Sequence, residues 1–344
     1  MSTVEHASEA TESRREAQPR QPWPLGFSRI GGVYIGLILV GIYAFWIPDT
    51  FFTHATLVDV LGSQALTAIL TIGLLLPLAA GLYDLSIGAM VGFSAILMAQ
   101  WTSGGMSIEL AFALVLLIGL VVGLVNAFFV VVVGINSFIA TLAMSSLLIA
   151  ANTAVSNNEL IVGLPSTLTK IGSSNVLGLP ITVWYLVAFA VVMWWVLEHT
   201  PFGRYLFAIG SNKEAAKLAG VRTTGKLFVS LVVSAMVAAV VGAILTAKLG
   251  AGSPEVGSSY LLPAYAAAFL GATQVKANRF NVIGALIAVY VLAIGVKGLQ
   301  LGGAASWVSE LFNGVALLLA VSLARLQGLR TKVQWRRFAR GKEK

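Results

Sequence analysis

The chain has 344 residues, of which 58% are hydrophobic and only 10% are charged. Soluble globular proteins carry roughly 25% charged residues, so this composition excludes a soluble enzyme, a disordered chain and a coiled coil. Ten apolar runs of about 20 residues need about 200 positions, and the chain has room for them. The absence of cysteine excludes disulfides, thiolate metal sites and cysteine nucleophiles. The composition predicts an all-α polytopic membrane protein.

The N-terminal segment, residues 1–28, is polar and rich in Glu, Arg, Ser and Pro. It shows neither the short apolar core nor the small-residue cleavage site of a secretory signal, so we expect a disordered cytosolic tail. About ten apolar runs follow, and each is a candidate transmembrane helix. The runs are 30–47, 57–79, 86–102, 108–133, 137–155, 180–198, 227–248, 260–274, 281–300 and 306–324.

The net charge of +8 is interpreted first as a sign of topology, since cytoplasmic segments of membrane proteins collect Lys and Arg. Nineteen of the 22 basic residues lie in four clusters: the N-terminal tail, 199–226, 275–280 and 325–344. Six, two and two predicted helices separate successive clusters. Because each number is even, all four clusters face one side, and both termini are predicted to be cytoplasmic. The three remaining residues fall in an outer loop or near outer helix ends: Lys170, Lys248 and Lys297.

The domain organisation follows from this pattern. Residues 29–325 form the predicted transmembrane domain, with 199–226 as its one sizeable cytoplasmic loop, and 326–344 form a basic cytosolic tail suited to anionic lipid rather than nucleic acid. The connections 48–56 and 249–259 are expected to be short and external, and 156–179 a longer external loop. No nucleotide-binding loop, zinc-protease motif or serine-nucleophile motif is present. A membrane domain without a catalytic or metal-binding constellation points to transport.

The loop 199–226 contains a sequence typical of a short capped helix. Ser211 or Asn212 can cap its start, Glu214 lies in the first turn, and Gly220 suits the position after its end. Small residues then form one side of this helix: Ala215, Ala216 and Ala219. Two interpretations are open: the helix docks against another protein that approaches this side closely, or it lies on the anionic inner leaflet.

Asp84 is the only carboxylate on the otherwise apolar turn 80–88. It is expected to cap the next helix by accepting a hydrogen bond from the amide of Ser86 or Ile87, and it is also a candidate gate residue. The remaining candidates for a solute pathway or gate are neutral amides and hydroxyls within the predicted helices: Ser86, Asn126, Thr141 and Asn152. Such groups suit a sugar, which has many hydroxyls and no charge, whereas an ion-coupled carrier is expected to need a carboxylate near the midplane.

Five segments, in this order, resemble bacterial permeases that import sugars of the ribose, xylose and arabinose type through ATP-binding-cassette systems. They are Ala80–Gly88, Asn136–Ala143, Thr200–Val221, Phe269–Thr273 and Phe312–Val315. Departures from the family pattern are Ala272 in place of a usual second glycine and Asn136 in place of a common proline.

The resemblance implies a division of labour in the bacterial inner membrane. Two permease copies, identical or different, form the pathway for a monosaccharide, a periplasmic sugar-binding protein delivers it, and two cytoplasmic ATPases hold ATP and Mg²⁺. Residues 211–221 would then be the coupling helix, with Arg204 and Glu214 at its docking surface. This chain itself would need no cofactor. A stand-alone secondary carrier for a small neutral solute and a non-transport membrane scaffold are the alternatives.

Overall fold

The computed structural model describes residues 31–51, 53–276 and 279–322. The two tails predicted to be cytosolic, 1–28 and 326–344, lie outside the described residues. Within the described residues the chain is mostly helical, and each of the ten predicted apolar runs contains a helix. The helices are α1 (Gly31–Trp46), α2 (Pro48–Phe51), α3 (His54–Ala79), α4 (Ser86–Ser103), α5 (Ile108–Ala127), α6 (Ser137–Ser156), α7 (Ser166–Ser173), α8 (Ile181–His199), α9 (Pro201–Ser211), α10 (Lys213–Leu218), α11 (Thr223–Leu249), α12 (Ser258–Ala272), α13 (Val282–Leu301) and α14 (Trp307–Ser322).

Six helices of the described chain are long and apolar enough to cross a membrane: α3, α5, α6, α8, α11 and α13. A π-helical turn, Phe128–Val133, extends α5. The helices α1, α12 and α14 are apolar but shorter, and α4 has 18 residues. These features define a polytopic all-α membrane protein.

The helices α3 and α11 form the centre of the bundle. Most of their side chains are buried, whereas α6 is exposed along most of its length. The helix α11 packs against α3, α4, α5 and α7, and α13 packs against α12, α3 and α1. Away from its ends, most of the backbone of a central helix is bonded within that helix, so apolar side chains can pack closely without leaving many polar groups unpaired.

The long connection between α6 and α8 is folded rather than irregular. It contains α7 and a two-stranded antiparallel hairpin, β1 (Asn175–Val176) and β2 (Leu179–Pro180). Leu168 on α7 is buried, and the backbone at Gly172 packs against the end of α11. The sequence analysis predicted only a loop here, because the eight residues of α7 include only two large apolar side chains, Leu168 and Ile171.

The connection between α11 and α12 differs from the short external loop that was expected. It pairs with the α6–α8 connection through Ile161 and Gly252. It then runs back along α4, and Gly257 packs against the backbone of Gly88 and Gly92. The expectation of a wholly external connection is therefore wrong: small residues, which signal a loop in sequence, here permit backbone-to-backbone packing inside the bundle.

Charged contacts occur at both ends of the bundle. At the end of α8, Glu198 pairs with Lys276 and Arg279 from the connection between α12 and α13. At the other end of the bundle, Lys297 of α13 pairs with Asp59 of α3 at 2.6 Å. The contacts of Glu198 bring the loop 199–226 and the cluster 275–280 to the same end of the molecule.

Candidate functional site

The turn between α3 and α4 holds Asp84, whose side chain is completely buried. Its Oδ1 accepts hydrogen bonds from the amide and the hydroxyl of Ser86, at 3.1 and 2.6 Å. The predicted capping contact with the Ser86 amide is therefore present. Because α4 begins at Ser86, the carboxyl fixes the direction in which this helix leaves the turn.

Side chains from other helices complete a buried polar cluster around this turn. Asn126 of α5 donates from Nδ2 to the Ser86 hydroxyl oxygen at 2.9 Å. The amide of Asp84 donates to the hydroxyl of Tyr265 on α12 at 3.0 Å. The hydroxyl of Ser86 thus donates to Asp84 while it accepts from Asn126, and the cluster joins α4, α5 and α12.

The first turn of α6 holds the same loop by its backbone. The hydroxyl of Ser137 accepts from the amide of Tyr83, and that of Thr141 accepts from the amide of Leu85, each at 3.0 Å. The Thr141 hydroxyl in turn donates to the carbonyl of Ser137 at 2.7 Å. Two hydroxyls on one face of a helix therefore replace the backbone partners that a turn inside the bundle would otherwise lack.

One edge of the cluster is incompletely bonded. Oδ2 of Asp84 and the hydroxyl of Ser234 on α11 are buried, and neither has a hydrogen-bond partner among the described residues. The Ser234 hydroxyl lies beside the carboxyl, outside the geometry of a full hydrogen bond. Among the described residues no Lys, Arg or His forms an ion pair with Asp84. The cluster is thus a buried junction of five helices, α3, α4, α5, α6 and α12, which α11 adjoins, rather than an open binding pocket.

The structure separates the five predicted pathway residues into two groups. Asp84, Ser86, Asn126 and Thr141 belong to the buried cluster. Asn152 lies elsewhere on α6, where its Nδ2 donates to the carbonyl of Pro254 at 2.8 Å. Asn126 and Asn152 are 1% and 5% exposed, so both amides face the bundle interior as expected.

Sequence reasoning missed Tyr265 and Ser137. Tyr265 is an aromatic residue in an apolar run, and nothing local indicates that its hydroxyl reaches a turn 181 residues earlier in the chain. Ser137 begins α6 inside a segment that resembles the family, so its position in that motif was the one available signal.

The loop 199–226 folds as two short helices, α9 and α10. The side chain of Asn212 accepts from the amide of Ala215 at 3.0 Å, which caps α10 as predicted. Gly220 has φ +82°, the left-handed conformation that a glycine after a helix end adopts without strain. Glu214 lies in the first turn, where the helix dipole favours an anion.

The exposed side of α10 differs from the predicted small-residue side. Ala215 and Glu214 are exposed, as are Arg204, Asn212 and Gly220, but Ala216 is buried within the chain's own hydrophobic core. The placement of Ala216 on the free side is therefore wrong, because adjacent residues point about 100° apart around a helix. The free side instead presents Leu218, which is 89% exposed and which sequence analysis did not single out.

The loop also touches the turn that carries Asp84. The backbone of Gly210 in α9 packs directly on the end of α3, and a β-carbon added there would overlap the carbonyl oxygen of Ala79. Gly81, two residues after Ala79, also lies against the backbone of Gly210. Movement of α9 would therefore press on the Asp84 turn with no side chain between them to absorb the motion.

These features are those of a multi-pass membrane protein, and the comparisons with known proteins identify it as a transport permease rather than an enzyme. The family model of the permease component of branched-chain amino acid transport systems matches residues 56–321, and the chain belongs to this family. Its relatives include the ribose import permease protein RbsC of Haemophilus influenzae, which is 30% identical over 290 residues, or 83% of this chain and 89% of the relative. RbsC of Bacillus subtilis is 30% identical over 296 residues, covering 86% and 92% of the two chains.

A further relative is named for the import of a different molecule. The autoinducer 2 import system permease protein LsrD of Photorhabdus luminescens is 26% identical over 259 residues, which cover 74% of this chain and 78% of the relative. No solved structure matches the chain. The similarity therefore extends over most of the membrane domain and joins the chain to proteins named as import permeases.

Proposed function

We propose that the chain is the transmembrane subunit of an ATP-binding-cassette importer for a monosaccharide or a closely related polyhydroxyl solute. Family membership over residues 56–321 carries the proposal. Relatives named ribose import permeases support the sugar class. A second permease copy, a cytoplasmic ATPase and a periplasmic sugar-binding protein are the partners. ATP and Mg²⁺ bind to the ATPase, and the membrane is the bacterial inner membrane.

Ten transmembrane helices with both termini in the cytoplasm are part of the proposal. The helices α1, α4, α12 and α14 would cross in addition to the six longer ones. The contacts of Glu198 support this topology, since they bring two basic clusters to one end, whereas Lys297 pairs at the other end. Modification of Ser173→Cys, but not of Ser211→Cys, by an impermeant thiol reagent on intact cells tests it; the opposite pattern overturns it.

The coupling function is assigned to α9 and α10. Capping by Asn212 keeps α10 helical although it has only six residues. Arg204, Glu214 and Ala215 are exposed for docking, and Leu218 supplies an apolar anchor. The contact of Gly210 with the Asp84 turn then offers a direct mechanical route from the docked helix into the bundle. In this scheme Asp84, Ser86, Asn126 and Thr141 form the gate architecture that responds to the movement.

A secondary carrier is the alternative that one observation favours. Asp84 is a buried carboxyl without a cationic partner among the described residues, and proton-coupled carriers use such groups. The exposed, capped α10 argues against this reading, because a carrier without an ATPase has no use for a docking helix with an apolar anchor.

The energy source of uptake distinguishes the two functions. Cells that lack their proton-translocating ATP synthase keep ATP when a protonophore collapses the gradient. In a strain that expresses the chain with its partners, uptake of radiolabelled D-ribose should survive the protonophore and stop when arsenate depletes ATP. Loss of uptake with the protonophore alone would overturn the proposal in favour of the carrier. A strain with the gene deleted supplies the background.

A further inference from the structure

The connection between α11 and α12 enters the helical bundle before α12 begins. Gly252 packs against Ala99 on α4, and Gly257 packs against Gly92 seven residues earlier on the same helix. At about 1.5 Å of rise per residue, the chain therefore travels about 10 Å along α4. Since α4 spans Ser86–Ser103, the segment between Gly252 and Gly257, which contains Glu255, passes the middle of that helix, and α12 begins beside its first turns.

The backbone over this distance is not helical. Within a membrane, such backbone is stable only where protein buries it or where it lines a water-filled cavity. Protein covers one side: Asn152 donates to the carbonyl of Pro254, and Gly252 exchanges backbone hydrogen bonds with Ile161. On the other side Glu255, Ser258 and Ser259 are exposed.

An exposed carboxylate at this level indicates which environment the open side meets. A charged side chain that faces lipid near the middle of a spanning helix is strongly unfavourable. By contrast, beyond the first turn of α5, where Glu109 lies, its exposed large side chains are Leu and Val, as lipid requires: Leu117, Val121 and Leu124. The surface around Glu255 is therefore expected to adjoin water, and in a transport protein that water belongs to the solute pathway.

The polar groups along this segment can form hydrogen bonds with a neutral solute that carries many hydroxyls. No side chain caps the start of α12, and among the described residues the amides of Ser258 and Ser259 have no hydrogen-bond acceptor, whereas that of Tyr260 bonds the carbonyl of Gly257. Asn152 is 5% exposed and points into the segment, and its Oδ1 has no hydrogen-bond partner among the described residues. The Ser258 hydroxyl donates to the carbonyl of Glu255 at 2.8 Å and keeps its lone pairs free.

We propose that residues 253–259 form a sugar-binding site on the translocation pathway, with the Glu255 carboxylate as acceptor and the first amides of α12 as donors. The proposal rests on the proposed function and names the part of the chain that contacts the solute. Asn152 positions the segment through Pro254. A carboxylate accepts strong hydrogen bonds from hydroxyl groups without requiring a charged solute.

Thiol labelling of the complete transporter tests this site, since the chain contains no native cysteine. The permease, with its ATPase, is placed in lipid nanodiscs and treated with a charged methanethiosulfonate reagent. The variants are Glu255→Cys, Ser258→Cys and Ser259→Cys, and Leu117→Cys on α5 is the lipid-facing control. Labelling is measured with the transporter alone, with sugar-free binding protein and with D-ribose-loaded binding protein, the last trapped by ADP and vanadate.

We expect the three site variants to react at least roughly tenfold faster than Leu117→Cys, and D-ribose-loaded binding protein to slow them by a similar factor. A reaction as slow as that of Leu117→Cys would place the segment in lipid and overturn the proposal. Equal protection by sugar-free binding protein would make the surface a protein-docking site, and no protection in any state would make it an ordinary external loop; both overturn it.

Transport by conservative variants completes the test. In proteoliposomes, Glu255→Leu should lower the maximal rate of D-ribose uptake roughly tenfold or more, because one strong hydrogen bond to the solute is lost, while Glu255→Asp restores most of it. Both should retain ATPase association, since Glu255 lies outside the loop 199–226 to which docking is assigned. If the unmodified transporter moves no D-ribose, the proposed substrate has failed; fast labelling relative to Leu117→Cys then still decides whether the segment lines a water-filled pathway.

Discussion

At the residue scale, Asp84 is the side chain on which the turn between α3 and α4 depends. Its Oδ1 accepts from both the amide and the hydroxyl of Ser86. Replacing Asp84 with Ala leaves these two buried donors without that acceptor, which costs about 1–3 kcal/mol. We expect Asp84→Ala to unfold at a lower temperature in detergent, as measured by size-exclusion chromatography after heating.

The amide variant separates geometry from charge. Asp84→Asn keeps an oxygen where Oδ1 lies and places a donor beside the unpartnered hydroxyl of Ser234. It should therefore be closer to the unmodified protein in stability than Asp84→Ala. An alanine variant as stable as the unmodified chain would show that the cluster does not hold the turn.

Part of this cluster could be predicted from the sequence and part could not. The contact between Asp84 and Ser86 follows from a two-residue spacing at a helix start, so local chemistry fixes it. The contacts of Asn126 and Tyr265 with the same turn depend on how α5 and α12 pack. The residues next to them in the sequence do not indicate that packing. A neutral polar side chain inside an apolar run indicates burial against protein, but not its partner.

At the scale of elements, two glycines of the loop 199–226 form a matched pair. A β-carbon at Gly210 would overlap the end of α3, whereas one at Gly225 meets no atom within 4 Å. We expect Gly210→Ala to force α9 away from the Asp84 turn and to reduce sugar-stimulated ATP hydrolysis while basal hydrolysis persists. Gly225→Ala should leave both unchanged, since alanine is favourable in a helix.

Comparing sugar-stimulated with basal ATP hydrolysis distinguishes a loss of coupling from misfolding of the loop. Equal loss of both rates in Gly210→Ala would indicate misfolding of the loop, and full stimulation would mean that the contact with Ala79 transmits nothing. Either result would remove the direct contact between α9 and the turn from the mechanism.

The exposed side chain of Leu218 is the basis of a second prediction about the loop. Burying a leucine side chain contributes about 1.5–3 kcal/mol, which corresponds to a roughly 10- to 100-fold change in affinity. If α10 docks through Leu218, Leu218→Ser should lose the ATPase during co-purification by about this factor. The control is Leu177→Ser, an equally exposed leucine (86%) on the β1–β2 hairpin outside the loop. Equal retention of the ATPase by both variants would favour a lipid-facing α10.

The helix α10 also shows how far element prediction reaches. Its Asn212 cap and its glycine exit were predicted correctly because each depends on residues within one turn. The burial of Ala216 was not predicted, since it depends on how the loop folds back on the bundle. The prediction for the connection between α11 and α12 was wrong for a related reason. Gly, Ser and Pro indicate a loop in the sequence, whether that loop lies in water or inside a bundle.

At the scale of the whole molecule, the apolar runs and the basic clusters were sufficient for the class of protein. Ten runs predicted ten helices because helix formation satisfies the backbone inside a membrane. The arrangement around α3 and α11 was not predictable from them, since a run buried on all sides resembles one that faces lipid. The family match over residues 56–321 supplies what composition lacks, the assignment to import permeases.

Sugar accumulation in sealed proteoliposomes tests the central claim most directly. The vesicles contain this chain and its ATPase, with the sugar-binding protein and radiolabelled D-ribose on the side opposite the ATPase. We predict accumulation above the external concentration when ATP and Mg²⁺ are present on the ATPase side, and none with ADP or with an ATPase variant that cannot hydrolyse ATP. Accumulation without ATP, driven by an imposed proton gradient, would contradict the assignment of this chain as the membrane subunit of an ATP-driven importer.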